Sequence, residues 1–499
     1  MGTEQFDVLI VGAGISGIGG AAHLQMHCKG KKFAILEGRA TLGGTWDLFK
    51  YPGIRSDSDM HTLGFAFKPW THEKSIADAP SILDYLNETV DDYGLREHIR
   101  FSNRVKTLDW NSADALWTVG IETPEGMTTL QTKLLYMGTG YYRYSAGYRP
   151  EFPGEERFKG PKIHPQHWPE DLDYAGKKVI VIGSGATAAT LVPAMADRGA
   201  GHVTMLQRTP TYYAIRPAKD AFANTLRKIL PSGLAYDITR FKNTTMQQLV
   251  WSAAKKKPEK VKAKLLEMVQ DELGAAYDAK HFTPQYNPWD QRLCLIPDAD
   301  LFKAMKRGQV DIVTDQIESF SEKGILTKSG KELEADIIVI ATGLHMEVME
   351  GVALTVDGAR KTVGDSYSYK GCMYGDIPNL ISAFGYANAS WTLKADLIAE
   401  YMCRLIKQLD KTGADIAVPV PSGVQEDPEG MMNLSSGYVE RAKGRVPKMG
   451  HVYPWRAYHN YRIDKKLMRN EPIEDGWMQL RKKGAVVAEP EAELAIAAE

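Results

Sequence analysis

The sequence predicts an α/β fold built from two Rossmann-like dinucleotide-binding domains, with a helical insertion in the second. Three observations predict it. A short apolar run, a glycine-rich turn and a helical pattern follow one another twice, from Asp7 and again from Lys178. The stretch 216–283, inside the second unit, is long, basic and helical in spacing. At 499 residues the chain exceeds what one hydrophobic core usually holds, so two or three domains are the default. Hydrophobic residues at 43% and charged residues at 25% are globular values, and a formal net charge of -1 excludes wholesale attraction to nucleic acid. The four cysteines form no C-x-x-C pair, which excludes a disulfide framework, a zinc knuckle and a dithiol redox centre and fits a reducing, cytoplasmic setting. The start runs through Glu4 and Asp7 into a strand without a basic leader, Phe6 occupies the position a myristoylation signal needs for Ser or Thr, and no apolar run spans a bilayer.

Asp7–Val11 is apolar and β-branched, and Gly12-Ala-Gly14-Ile-Ser-Gly17 opens a helix through Ala21 and Leu24. Gly12 allows the tight turn, Gly14 lets a pyrophosphate approach the backbone, and Gly17 lets the helix close on the strand. A second strand, Phe33–Leu36, ends at Glu37, about 20 residues on, where a carboxylate can hydrogen-bond ribose hydroxyls. Gly43-Gly44-Thr45-Trp46 and Tyr51-Pro52-Gly53 are too rich in glycine and proline for a helix or central strand, so this segment is expected to be a loop lining a site. Asp57 ends it, with a turn aspartate bonded to its own backbone as the bland alternative to a site residue. Ile82, Leu86 and Val90 recur at helical spacing, strands follow near Val105 and from Trp117 to Ile121, and Leu134–Met137 is a buried strand leading to Gly140-Tyr141.

The second unit is Lys178–Ile182, Gly183-Ser-Gly185-Ala-Thr-Ala188, and a helix through Leu191 and Met195. Its next strand ends at Gln207-Arg208-Thr209, without an acid. A guanidinium in that place suits a ribose 2′-phosphate, although a surface arginine in a loop has the same sequence. One turn followed by Glu37 and another followed by Arg208 assign FAD to the first and NADPH to the second. Within the insertion Pro258 starts a helix through Leu265, Val269 and Leu273. Lys219, Arg227, Lys228, Arg240, Lys242 and further lysines around it read as a solvated outer face, with a membrane-surface or anionic partner as the alternative. Ala335–Gly343 is a buried return strand, and Asn379–Ser382 precedes a loop containing Asn388 and a helix through Leu397, Tyr401 and Leu405. The Ala- and Glu-rich stretch after Val487 lacks the periodicity to pack and reads as a frayed tail. The expected division is 1–144 with 344–499 for the first domain and 145–343 for the second, the insertion taking 216–283.

Between the two units stands Phe158-Lys-Gly160-Pro-Lys-Ile-His164-Pro-Gln-His-Trp168-Pro169. Alone it could be ordinary loop packing. Its spacing resembles the F-x-G-x-x-x-H-x-x-x-W-P fingerprint of type I Baeyer-Villiger monooxygenases, and Gly43 to Asp57 resembles that family's G-G-x-W-x-x-x-x-Y-P-G-x-x-x-D pattern. The segment 436–461, with Tyr438, Trp455 and Tyr461, looks most like the subgroup of the ethionamide-activating monooxygenase. The resemblance implies a loop at Gly44, Thr45 and Trp46 lying against the flavin, an active-site carboxylate at Asp57, a crossover at Tyr141, and a flavin-edge loop at Asn388. It maps the catalytic arginine onto Arg292, which by sequence alone could be a structural ion-pair donor. Gln291 departs from the lysine many members carry there, so NADPH preference rests more on Arg208. His164 and Trp168 are expected to couple the domains. The activity implied is insertion of one atom of O2 beside a ketone carbonyl, through a C4a-peroxyflavin, to give an ester or lactone, with oxidation of sulfides besides. Two other readings compete: a flavin-containing N- or S-monooxygenase, which normally lacks the Trp-Pro ending, and a membrane-associated flavoprotein with incidental NADPH oxidation. A small ketone or sulfide is the expected partner, with no metal.

Overall fold

Period-two alternation decides how the first sheet is buried. In β1 (Gln5–Val11), Val8 and Ile10 face one apolar cluster while Leu9 and Val11 face another. The computed structural model describes residues 3–291, 293–428, 430 and 436–484. Arg292 and the tail after Val487 lie outside these described residues. β1 pairs in parallel with β2 (Phe33–Leu36), which pairs in turn with β3 (Ile99–Arg100). The meander β4 (Arg104–Asn111), β5 (Leu116–Thr123) and β6 (Gly126–Met137) closes back on β1. Three strands from much later in the chain join this sheet: Ala353–Val356 on β4, Ala359–Lys361 beside it, and Leu380–Ser382 on the last residues of β6. The cluster around Val8 and Ile10 is covered by α1 (Ile15–His27) and the long helix Trp391–Thr412.

The second sheet repeats the logic and is parallel throughout. Its order is Val310–Thr314, β9 (His202–Gln207), β8 (Lys178–Ile182), Ile337–Ile340 and β7 (Lys162–Ile163). Val179 and Val181 point to one buried cluster, Ile180 and Ile182 to the other. Parallel sheets are covered on both faces, which is why these strands read as unbroken apolar runs.

Two short helices interrupt the chain between β2 and β3, α2 (Thr45–Leu48) and α3 (Met60–Leu63), followed by α4 (Ala79–Asp92) with Ile82, Leu86 and Val90 buried as its spacing predicts. α2 corrects the expectation of pure loop: Gly44, at φ +57, caps a single helical turn. After β8 comes α5 (Ala186–Asp197). The insertion is α6 (Ala221–Ile229), α7 (Ser232–Lys256) and α8 (Pro258–Leu273), bracketed by a parallel pair of strands, Tyr213–Arg216 with Cys294–Pro297. α8 starts at Pro258 and buries Leu265, Val269 and Leu273, as its sequence predicts.

The basic run of the insertion is not all solvated. Arg240 on α7 is buried, and its Nη1 donates to the carbonyls of His61 at 2.9 Å and Gly64 at 2.8 Å. Its Nη2 lies 3.4 Å from the buried carboxylate of Asp396 on the helix Trp391–Thr412. One guanidinium thus fastens the insertion to the first sheet's helical layer, which a lysine with one ammonium could not do through as many acceptors.

Candidate active site

Both glycine turns are built the same way. Gly12 (φ +99) and Gly183 (φ +133) take left-handed conformations, and a Cβ on them would lie 2.8 Å from the Gly138 carbonyl oxygen and 2.4 Å from that of Ala341. Each turn therefore abuts the exit of its own sheet. Gly17 lies against the Gly12 carbonyl, so close that a Cβ would sit 1.8 Å from the oxygen. In the second turn the buried Ala188 stands at that place. Helices α3, α4 and α6 are capped by Asp59, Asp78 and Asp220, whereas α1 and α5 are capped by Gly14 and Gly185 with no side chain and no acid in the first turn. Two helix N-termini are left with N–H groups free of side-chain acceptors, the arrangement that receives a pyrophosphate.

Glu37 is buried beside the first turn, accepting from the N–H of Ala13 at 2.7 Å and of Arg39 at 2.9 Å. Burial pushes its carboxyl up, and the two N–H groups pull against that shift. A carboxylate offers about four acceptor positions, so ribose hydroxyls can still be received. The Gly43 N–H donates to the Ala13 carbonyl at 2.9 Å, which lays the Gly44-Thr45-Trp46 segment over the turn. A Cβ on Gly44 would lie 3.3 Å from the Tyr144 hydroxyl, and Trp46 packs on the cluster beneath α1. Tyr141 stacks on Trp391 at 4.8 Å, and the Trp391 indole N–H donates to Ser16 Oγ at 2.7 Å, joining the crossover to the first turn of α1. Asn388 Nδ2 donates to the His459 carbonyl at 2.9 Å.

At the second turn the position matching Glu37 is Gln207, whose Nε2 is spent on the His281 carbonyl and Thr314 Oγ1, both at 2.8 Å. Arg208 follows it, exposed, with no ion pair among the described residues. Ser184 Oγ donates to the Thr209 carbonyl at 3.0 Å, so the Arg208-Thr209 corner is held against the glycine turn. A neutral inward residue followed by an unpaired outward cation is the chemistry a 2′-phosphate requires.

The fingerprint stands at the junction. Two chain crossings run side by side: Tyr148 N–H donates to the Gly343 carbonyl at 3.0 Å, Arg143 N–H to the His345 carbonyl at 2.9 Å, and Glu347 N–H to the Tyr141 carbonyl at 2.9 Å. His164 Nε2 lies 3.1 Å from the Gly343 carbonyl, and Nδ1 accepts from the Gln166 N–H at 3.2 Å. That pattern fixes the Nε2–H tautomer. Burial lowers the His164 pKa, keeping the ring neutral, while the Gly343 carbonyl opposes the shift. Gly160 backs onto the Asp336 carbonyl, and Phe158 fills the cluster under Ile180 and Ile182. Trp168 shares a buried cluster with Phe49 and Tyr51, and Pro169 is exposed.

The loop after α2 ties the two units together. A Cβ on Gly53 would lie 2.5 Å from the Ala194 methyl on α5. Tyr51 is buried beside Phe49 and Trp168, and burial pushes its phenol up, so the hydroxyl stays protonated. Arg55 forms an ion pair with Asp300. Asp57 is exposed, and the local turn bonds are made by Ser56 instead, whose Oγ accepts from the Ser58 N–H at 2.9 Å. The reading of Asp57 as a self-bonded turn residue fails, because its carboxylate makes no hydrogen bond or ion pair among the described residues. Its expected partner Arg292 lies outside them, although Cys294, two residues on, donates to the Ser184 carbonyl of the second turn at 3.7 Å.

Several contributors carried no motif. Trp391 and Ser16 join elements distant in sequence, and no spacing in the sequence pairs them. Asn243 and Gln247 of α7 donate to Asp59 at 2.9 and 3.2 Å, which holds the loop from behind.

The chain matches the family described as pyridine nucleotide-disulphide oxidoreductase over residues 9–249. All four cysteines are buried and none is in a disulfide, so the match is to the nucleotide-binding units and not to dithiol chemistry. It is 49% identical over 486 residues to the FAD-containing monooxygenase EthA of Mycobacterium tuberculosis (strain ATCC 25618 / H37Rv), covering 97% of this chain and 99% of that protein. It is 48% identical over 482 residues to the probable FAD-binding monooxygenase AlmA of Acinetobacter baylyi (strain ATCC 33305 / BD413 / ADP1), covering 96% and 97%. Among solved structures, an oxidised steroid monooxygenase bound to NADP and an open crystal structure of cyclohexanone monooxygenase each align with TM-score 0.76 at 21% identity, over 96% of this chain and 100% of theirs. At that identity the likeness is one of fold.

Proposed function

The chain belongs to the FAD-containing monooxygenases, an NADPH-dependent flavoenzyme with a small-molecule substrate and O2, and from that premise we propose that it inserts one oxygen atom beside a ketone carbonyl to give an ester or lactone, and oxidises sulfides as well. The observation that carries this reading is the junction itself. A fingerprint ending in Trp168-Pro169 clamps two crossovers between two side-chain-free helix N-termini, and the loop bearing Asp57, whose carboxylate has no partner among the described residues, is pinned to both units. The division into 1–144 with 344–499 and 145–343 is supported by sheet membership, since the nine-stranded sheet draws on residues 5–137 and 353–382. Four cysteines outside any disulfide support a cytoplasmic setting, and among the described residues no helix is long and apolar enough to cross a membrane.

When bound, FAD and NADPH supply the electrons and the oxygen-transfer chemistry. Gly14 and Gly185 open the two N-termini to the pyrophosphates, Glu37 takes the flavin-side ribose, and Tyr141 and Asn388 line the flavin edge. Arg208 with Thr209 takes the 2′-phosphate. Asp57 orients the guanidinium of Arg292, which donates to the oxyanion developing at the ketone. His164 stays neutral and holds the crossovers, moving no proton.

The test is product analysis under 18O2 with NADPH and a panel of ketones and thioethers. Esters or lactones carrying one labelled atom are the expected result. Sulfoxides or N-oxides with every ketone returned unchanged would overturn the reading in favour of heteroatom oxidation. Arg208 gives a second test. A charge-assisted contact is worth about 1.5–3 kcal/mol, roughly ten- to 150-fold in affinity. Arg208→Ala is expected to raise the KM for NADPH by that factor and leave the KM for NADH unchanged; an equal rise in both would remove Arg208 from the phosphate site.

A further inference from the structure

Helix α7 is apolar on both sides. Its inner side buries Ala235, Tyr236, Thr239 and Arg240 and is fastened to the first sheet's helices. Its outer side leaves Leu234, Phe241 and Leu249 at 50%, 68% and 57% exposure, spaced by seven and eight residues along one stripe. Phe222 and Ile229 of the adjoining α6 extend the stripe at 43% and 70%. Of the eleven large apolar side chains exposed among the described residues, seven lie between 222 and 249. Scattered single residues need no explanation, but this concentration does. The inner side is already used, so the outer one is not a core face awaiting its partner within the chain.

The charge around the stripe identifies what covers it. Residues 216–264 contain twelve Lys and Arg against three Asp and Glu, a local excess of nine positive charges in a chain whose net charge is -1. Lys242 Nζ stands 4.4 Å from the Phe222 ring centre, and the Arg462 guanidinium 5.7 Å from that of Phe241. Apolar rings with cations at their shoulders are what a helix at a lipid–water boundary presents, the rings entering the acyl region and the cations meeting phosphates. A second copy using the same face would set one basic surface against another, because a two-fold interface apposes identical surfaces.

We propose that the outer face of α6 and α7 docks the enzyme on an anionic phospholipid bilayer. The helices lie on the surface and do not cross it. Asn243 and Gln247, on the opposite side of α7, hold Asp59 two residues from Asp57, so the docked face is one helix thickness from the loop of the proposed site.

Vesicle co-sedimentation of the FAD-loaded protein tests this. The wild type is expected to pellet with phosphatidylcholine–phosphatidylglycerol vesicles at low salt, less at high salt, and weakly with phosphatidylcholine alone. The triple variant Ile229→Ser, Phe241→Ser, Leu249→Ser alters only exposed side chains and is expected to bind roughly tenfold or more weakly, since each apolar side chain loses its transfer out of water. The charge variant Lys228→Glu, Lys256→Glu is expected to lose the salt-dependent part alone. NADPH oxidation without vesicles serves as the folding control and is expected to be unchanged in both. Absence of wild-type binding at low salt, or equal binding by the triple variant, would overturn the proposal. So would concentration-dependent dimers that the triple variant abolishes without any lipid binding, which would make a second copy the occupant.

Discussion

Arg292→Ala is expected to lower ester formation by about 10² to 10³, the effect of losing one preorganised oxyanion donor. The variant should still fold, remain yellow and oxidise NADPH, because the residues proposed to hold the cofactors belong to other segments. Glu37 and the first turn belong to the sheet around β1, and Arg208 to the end of β9. On the proposed reading Arg292 supplies the cation, from the segment whose next strand, Cys294–Pro297, is locked to Tyr213–Arg216 and to the second turn through Cys294. Oxygen consumed should then leave mostly as hydrogen peroxide. The measurement pairs NADPH consumed, peroxide released and ester produced for both proteins. Wild-type ester yield per NADPH in the variant would sink the catalytic assignment and leave Arg292 a structural ion-pair residue. Asp57→Asn gives the companion result: a weaker but parallel loss of ester yield, since it removes an orienting partner and not the donor.

Arg240→Ala is expected to destabilise the docking of α7 by about 3–5 kcal/mol, the range for stripping one partner from a buried ion pair. Asp396 would keep the Ala66 N–H at 2.8 Å and His23 at 3.5 Å, but lose its only buried guanidinium among the described residues. The carbonyls of His61 and Gly64 would be orphaned with it. Urea titration followed by hydrogen exchange in α7 measures the effect, because a chain of several domains does not unfold as one step. The double variant Arg240→Met, Asp396→Leu should recover part of the loss, the part due to an uncompensated charge. Wild-type protection of α7 in Arg240→Ala would show that the guanidinium is not the anchor.

What could be read from the sequence was what is encoded locally. Both strand–turn–helix units are contiguous runs in which glycines and apolar residues suffice, and α8 announces itself by Pro258 and one-sided spacing. α7 did not, because Leu234 and Phe241 outside and Tyr236 and Ala235 inside blur any single apolar face. Arg240 sat in a basic run and looked solvated, and only the fold brings His61, Gly64 and Asp396 to it. His164 was marked by its motif, yet its acceptor is Gly343, 179 residues away. The single turn of α2 was hidden by the glycines that cap it. For Asp57 the competing reading, a turn aspartate bonded to its own backbone, was settled only by the fold, where Ser56 makes the turn bonds and the carboxylate is left available.

The pairing of Leu380–Ser382 with β6 sets an order on biosynthesis. The upper end of β6 emerges at Met137, but its partner along that edge, Ser382, is 245 residues further on. At 5–20 residues per second a ribosome needs roughly ten to fifty seconds to cover that distance. During that interval Leu135 and Met137 present an unpaired edge, and α1 lacks the long helix whose Trp391 meets Ser16. The second sheet, whose strands all fall between Lys162 and Ile340, has everything it needs in the meantime. The interior domain is therefore poised to fold on the ribosome before the domain that encloses it, and the flavin must wait for a chain that is nearly complete.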